Sequence, residues 1–273
     1  MALELAHLLD HIAPKNAGES RFIGNNLPLE YNRVFGGQIL AQSIMALSAI
    51  SDGKELKSFT QHFPREGDVA LPMEYETTVH QAGRTFASAG VRATQAGRLV
   101  SLTSASLHRP EPGIERSDPA PDAGAPLDAT RVDLPMIPWE IRVAGGTDIS
   151  ARDVRPARYR FWTRVPETAS LPENPWLHQA LLAHATDLTV IGTALLPVEG
   201  LSQDDTGTAF HSAVTSHSMW FHQRFRIDDW LLVDQSAPVM SAGRAFGGGH
   251  VWTADGRLVA SFAQESMVRP ITG

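Results

Sequence analysis

The chain carries one hairpin pattern twice, and this constrains its fold more than any other feature. From Gly83 it reads GRTFASAGVRATQAGRLVSLTSASL, and from Gly243 it reads GRAFGGGHVWTADGRLVASFAQESM. Each copy has Gly-Arg-x-Phe, a strand-like run, a turn at Ala-Gly or Asp-Gly, then Gly-Arg-Leu-Val and a second strand-like run. Asp255-Gly256 suits a tight hairpin, which needs residues that tolerate positive φ. Chance can repeat four letters. The same order of turn and strand near the end of each half reads as an internal duplication. Between the copies, residues 110–135 read PEPGIERSDPAPDAGAPLDATRVDLP, dense in Pro, Asp, Ala and Gly with no apolar period. That stretch is expected to be a linker, dividing the chain into halves at 1–109 and 136–273.

Each half holds a helical stretch upstream of its hairpin. In GGQILAQSIMALSAI, from Gly36, Ile39, Leu40, Ser43, Ile44 and Leu47 follow helical spacing, and Ala41, Met45 and Ala46 leave little polar face. A helix apolar nearly all round is a buried one. In WLHQALLAHATD, residues Leu177, Ala180, Leu181 and His184 share a face, and Pro175 suits the first turn. Strands are expected after each: LKSFTQHF and PMEYETTVH in the first half, SHSMWFHQRF and DWLLVDQSA in the second. A buried helix with antiparallel strands, written twice, predicts an α+β architecture with helices on one face of a sheet.

Composition excludes several function classes. The 273 residues carry a formal net charge of −7, which argues against broad nucleic-acid or membrane-surface binding. There is no cysteine, hence no disulfide, thiol nucleophile or Cys-based zinc site. No apolar run is long enough to span a bilayer, and MALELAHLLDHIAP has acids within its apolar stretch and no basic start, so it does not read as a signal peptide. A cytoplasmic home is the default expectation. His211, His217 and His222 are potential metal ligands by residue type, but His217 and His222 fall on opposite faces of one strand and cannot converge. No cofactor is expected.

Three features carry possible chemistry. Leu258, Ala260, Phe262 and Gln264 alternate onto one face of the last strand, so an amide stands among apolar side chains and must be bonded to something. Its counterpart in the first copy is Ala105. Gln264 is either a structural tie or one wall of a site built from two unequal copies. Asp187 follows the second helix, where a carboxylate is poorly placed as a cap because helix C-termini favour cations. It is either solvated or held in a cleft. Gly36, Gly37 and Gln38 open the first helix. The glycines either leave N–H groups approachable by a carbonyl or anion, or let the helix pack closely.

The pieces RVFGGQILAQS (33–43), FPREGD (63–68), HATDLTVIGTALLP (184–197), HSMWFHQRF (217–225) and GRLVASFAQES (256–266) together resemble the acyl-CoA thioesterase II family. They run in the family's order along nearly the whole chain. The resemblance implies a double hotdog: two tandem repeats, each a long helix wrapped by an antiparallel sheet. It implies hydrolysis of an acyl-CoA to a free acid and coenzyme A, and a homodimer or higher homo-oligomer. The family holds and activates a water with an Asp, a Ser or Thr, and a Gln. Asp187 and Gln264 match the first and last. Val214 stands at the hydroxyl position and Ser216 where the family has an Asp. Thr215 is adjacent and would face away on a regular strand, unless a bulge swings it in. Thr60 and Glu66 replace the family's usual His and Pro. Gly36 and Gly37 are the expected carbonyl-polarising amides, with Gln38 beside them in the substrate-binding set. Two rival readings remain: an acyl-CoA-binding protein with weak or lost activity, suggested by Val214, and a hotdog enoyl-CoA hydratase, suggested by the Asn-Pro of NPWLH (174–178).

Overall fold

The two halves meet along one pair of strands. In a computed structural model, which describes residues 3–29, 32–166 and 169–271, thirteen strands form a single antiparallel sheet. They run β1 (Lys15–Gly18), β2 (Arg21–Gly24), β3 (Glu55–His62), β4 (Met73–Ala82), β5 (Phe86–Gln95), β6 (Arg98–His108), β7 (Thr130–Leu134), β8 (Ile137–Val143), β9 (Arg158–Arg164), β10 (Phe210–Phe221), β11 (Leu231–Ser241), β12 (Arg244–Thr253) and β13 (Leu258–Pro270). The spatial order is β1-β2-β4-β5-β6-β3-β10-β13-β12-β11-β9-β8-β7. Read outward from the centre, the first half runs β3-β6-β5-β4-β2 and the second β10-β13-β12-β11-β9. The sheet is therefore near-symmetric about the β3–β10 seam, where His217 pairs with Gln61 and Met219 with Phe59. Thr60 and Ser218, also paired there, join their hydroxyls at 2.9 Å.

The duplication extends to the defects of the sheet. Lys57 is the extra residue between Leu56 and Ser58 opposite β6, and Thr215 is the extra residue between Val214 and Ser216 opposite β13. Val100 and Val259, the valines of the two GRLV motifs, are bulged in the same way. His80 on β4 and the Ala237–Pro238 step on β11 form a third matching pair. Proline is tolerated at such a bulge because its missing N–H leaves no ladder bond unmade. A bulge re-aims the strand that carries it, so three shared bulges mean that both halves are bent alike. The bulge at Val259 corrects one expectation. It turns Leu258 to the outer face, against Trp252 and Trp162, and leaves Ala260, Phe262 and Gln264 on the buried one.

Helix α1 (Leu5–Ile12) buries Leu8 and Ile12. The long helices α2 (Gly36–Ser48) and α3 (Pro175–Thr186) pack against each other on the inner face of the sheet. Both are buried nearly all round, so α3 has no polar face of its own. Its polar side chains find partners in the core. Gln179 donates to the Leu56 carbonyl at 3.0 Å, and His184 Nε2 lies 2.7 Å from the Met136 carbonyl. Asn174 caps the helix by accepting the Trp176 N–H, and Pro175 follows it as the first helical residue. Helix α4 (Val190–Leu195) lies against β11 and β12. One apolar core contains Leu40 and Ile44 of α2, Leu181 of α3, Val91 of the first half and Val233 of the second.

The Pro-rich stretch is shorter as a linker than its composition predicts. Thr130–Leu134 is β7, paired with β8 at the sheet edge, and a short 3-10 turn covers Pro126–Asp128. Composition hides this strand because its alternate residues are polar and exposed. Upstream, Ala120 and Ala123 pack on Trp162 and Trp252, and Arg160 holds the Asp122 carbonyl at 2.6 Å. No helix among the described residues is long and apolar enough to cross a membrane.

Candidate active site

The end of α3 meets the beginning of α2, and a carboxylate lies at the junction. Asp187 is the C-cap of α3 and is 3% exposed. A Cβ added to Gly36 would stand 2.8 Å from Asp187 Oδ2, and one on Gly37 would stand 2.7 Å from the His184 carbonyl. The two glycines are therefore required by close approach, and that same approach sets the first turn of α2 beside the carboxylate. Such a turn carries N–H groups without intrahelical partners. Burial raises the Asp187 pKa to about 7, and the Gly37 backbone N–H opposes this rise. Its Oδ1 has no hydrogen-bond partner among the described residues. A buried group with proton affinity near neutrality and an unused oxygen is suited to take a proton from a neighbour.

A cavity of about 500 Å³ opens at this junction, within the usual range for small-molecule sites. Asp187, Gly36, Val214 and Thr215 all line it. Its walls come from both halves. The loop after β3, Phe63 to Gly67, crosses one side and is pinned at both ends. The Phe63 N–H reaches the Thr215 carbonyl at 2.9 Å, and the Val34 N–H reaches the Gly67 carbonyl at 3.0 Å. Ile39, Met136, Leu188, Ile191 and Met267 make it mainly apolar, while Thr206 and Ser212 supply a polar region. The bulge brings Thr215 onto this wall together with Val214, where a regular strand would turn one of the two away. The Thr215 hydroxyl donates to the Glu265 carbonyl at 2.9 Å, leaving its lone pairs available.

Gln264 is buried and lies behind this wall, and its partners are fixed. Its Oε1 lies 3.0 Å from His217 Nδ1, and its Nε2 donates to Ser266 Oγ at 3.1 Å. Since Oε1 can only accept, His217 carries its proton on Nδ1. Burial holds the His217 pKa down to about 4, against the Gln264 bond that would raise it, so the ring is neutral at ordinary pH. Its Nε2 is then an acceptor 3.3 Å from the Thr186 hydroxyl, whose one proton is shared between this nitrogen and the Ala183 carbonyl at 3.2 Å. Thr186 immediately precedes Asp187. A hydrogen-bonded chain thus runs Ser266–Gln264–His217–Thr186, ending one residue from the carboxylate.

Gln38 turns elsewhere. Its Oε1 accepts the Leu27 N–H at 2.8 Å and its Nε2 donates to Asn26 Oδ1 at 3.0 Å, so its amide ties α2 to the segment before it. Neither Gln38 nor Gly37 lines the cavity, although Gly37 touches Asp187 through its N–H. His178 accepts the Ile227 N–H at 3.3 Å inside the helix entry. Among the described residues no cluster of three or more His, Asp or Glu is placed to hold a metal. Sequence reading missed the role of His217 as the partner of Gln264. Its place on the same strand face as Met219 and Phe221 signalled burial, but strand pairing was needed to reveal the bond.

The profile of the acyl-CoA thioesterase family matches residues 149–267, and that of the acyl-CoA thioesterase N-terminal domain matches residues 27–108. Acyl-CoA thioesterase 2 of Haemophilus influenzae is 29% identical over 268 residues, covering 91% of this chain and 92% of its own. Human acyl-coenzyme A thioesterase 8 is 27% identical, covering 92% and 85%. A solved tesB protein from Mycobacterium avium subsp. paratuberculosis superposes with a TM-score of 0.84 at 29% identity, covering 98% of this chain and all of that one. The acyl-CoA thioesterase II TesB2 of Mycobacterium marinum gives 0.81 at 28% identity, covering 97% and 99%. The chain belongs to the acyl-CoA thioesterase II family. Its two family profiles fall on either side of the stretch between β6 and β8, and its architecture is the α+β double hotdog that the resemblance implies. In this double-hotdog thioesterase, Val214 puts an isopropyl group where the family resemblance calls for a hydroxyl, and the bulged Thr215 stands beside it.

Proposed function

We propose that this cavity binds an acyl-CoA and that water, activated by Asp187, hydrolyses its thioester. The observation that carries the reading is the buried carboxylate, poised near neutral pH, on a cavity wall beside the first turn of α2. Thioester hydrolysis needs a more nucleophilic water and a more electrophilic carbonyl. Asp187 takes a proton from the water as its oxygen bonds to the carbonyl carbon. The carbonyl electron pair moves onto oxygen, and the N–H of Gly36 at the helix start meets that charge. When the carbonyl re-forms, the carbon–sulfur bond breaks. The proton held by Asp187 then passes to the departing thiolate, giving coenzyme A and the free acid. Thr215 orients the water through its free lone pairs. Gln264 lies behind the cavity wall and supports it: Ser266 holds one hydrogen of its Nε2, and His217 keeps the amide from rotating.

Release of thiol from a panel of acyl-CoAs of graded chain length tests this. The expected result is turnover by the wild type and a loss of at least about a hundredfold in Asp187→Asn, the range for removing a general base. Near wild-type turnover in that variant would sink the assignment. Val214 supports one alternative, an acyl-CoA-binding protein with weak activity. Tight binding of a non-hydrolysable acyl-CoA analogue, with no thiol released from any member of the panel, would favour it.

A further inference from the structure

The internal repeat predicts a second cavity, and the structure has one. A pocket of about 420 Å³ lies against α3's first turn, lined by Pro175 and Gln179. The remainder of its wall is the repeat-equivalent of the first cavity. Where the first has Val214 and the bulged Thr215, the second has Leu56 and the bulged Lys57. His108 stands for Met267, since β6 and β13 correspond through their GRLV motifs. The segment Phe221–Phe225 replaces the loop Phe63–Gly67 in lining it. The duplication has thus preserved the shape of a site in both halves.

Its chemistry has not been preserved. No residue from the end of α2 lines the second pocket, and the residue that caps α2, in the place Asp187 holds on α3, is Ala49. The helix start is also closed to a carbonyl. Pro175 has no N–H, and the Trp176 N–H is taken by the Asn174 side chain at 3.1 Å. With neither a helix-end carboxylate nor a free first-turn N–H, the pocket lacks the pairing that activates water and holds an oxyanion in the first cavity. It does retain apolar walls in Leu56, Phe221 and Phe225, and its charged residues are Lys57 and Arg224 with Glu55 and Glu111. Lys57 is exposed, makes no ion pair among the described residues, and sits 5.4 Å from the centre of the Phe86 ring. Arg224 is also on the wall, paired with Glu55.

We propose that this second pocket binds a coenzyme A ligand, free or acylated, without hydrolysing it. The apolar walls suit the pantetheine arm and acyl chain, and Lys57 faces the phosphates at the mouth. The assignment rests on the reading of the first cavity as an acyl-CoA site, because the ligand class is inferred from the repeat. It makes the chain a two-site binder with one reactive site, so that product or substrate can occupy the silent site during turnover.

Calorimetric titration of the whole protein with a thioether analogue of an acyl-CoA, and separately with free coenzyme A, tests the proposal. Two equivalents of at least one of these ligands per chain are expected. Lys57→Glu combined with His222→Trp changes two exposed positions in the second pocket. That variant should bind one equivalent while its thiol release stays within about twofold of wild type. His222→Trp alone guards against misfolding of the double variant and should weaken the second equivalent. A single equivalent in the wild type for both ligands, or two that persist in both variants, overturns the proposal. In either case continued thiol release leaves the reading of the first cavity standing, whereas absent thiol release with intact binding overturns that reading instead.

Discussion

Asp187 sits where a carboxylate is costly to keep, and the cost has a measurable sign. In the unfolded chain it ionises in the ordinary carboxylate range; in the folded protein burial holds its proton up to about pH 7. Between those two values folding takes up a proton, so this group's contribution to stability falls as pH rises through the window. A shift from 3.8 to about 7 corresponds to a penalty on the order of 4 kcal/mol once the group is ionised. Asp187→Asn is therefore expected to be more stable than wild type at pH 8, with the difference shrinking by pH 4. Urea unfolding at both pH values reads it; an equal difference at the two pH values would contradict the raised pKa. Thr215 gives a second prediction at this scale. Thr215→Val should lower kcat roughly tenfold or more, in the lower part of the range for losing a group that acts on the reacting water, while Ser216→Ala changes little. Equal and negligible effects would mean that the hydroxyl is dispensable. Asp187 and Gln264 stand out in sequence as a misplaced carboxylate and an amide among apolar residues, and the structure buries both. Gln38 misled because it adjoins the glycines, yet its side chain answers to the loop at Asn26 and Leu27.

At the scale of elements, the geometry of the candidate site comes from two helix ends and one bulge. Gly36 is required because the first turn of α2 approaches Asp187 Oδ2 too closely for a Cβ. Gly36→Ala is expected to cut thiol release by at least about tenfold, since displacing the helix start misplaces both amide and carboxylate. The stability loss should be smaller, because alanine is a better helix former than glycine. If activity survives unchanged while stability falls, Gly36 serves packing alone. The helices were legible because their apolar spacing is strong and Pro175 marks an entry. The bulges were not, because a strand's sequence does not state its register. Thr215 is a case in point: simple alternation turns Val214 and Thr215 to opposite faces, and the one extra residue brings both onto the cavity wall. β7 was missed for a related reason. An edge strand of polar and apolar residues in a Pro-rich context carries the composition of a linker, and only its pairing with β8 distinguishes it.

Across the whole molecule, duplication explains both what is shared and what is not. The two halves share strand order, three bulges and a cavity at each helix start, and one core spans them. The chemistry proposed for the first cavity needs unlike copies. Its carboxylate comes from the end of α3, its glycines from the start of α2, and its loop from the end of β3, so neither half contains a site alone. This is why the repeated hairpin could announce the architecture from sequence while the site became visible only when the halves were joined. The central claim is that ionisation of Asp187 drives thioester hydrolysis, and the pH dependence of thiol release tests it most directly. With an acyl-CoA that the wild type turns over, the rate should rise with pH along a limb with an apparent pKa of about 7, and the residual rate of Asp187→Asn should lack that limb. A limb that persists unchanged in Asp187→Asn, or a wild-type rate already at its plateau at pH 5, would contradict the account.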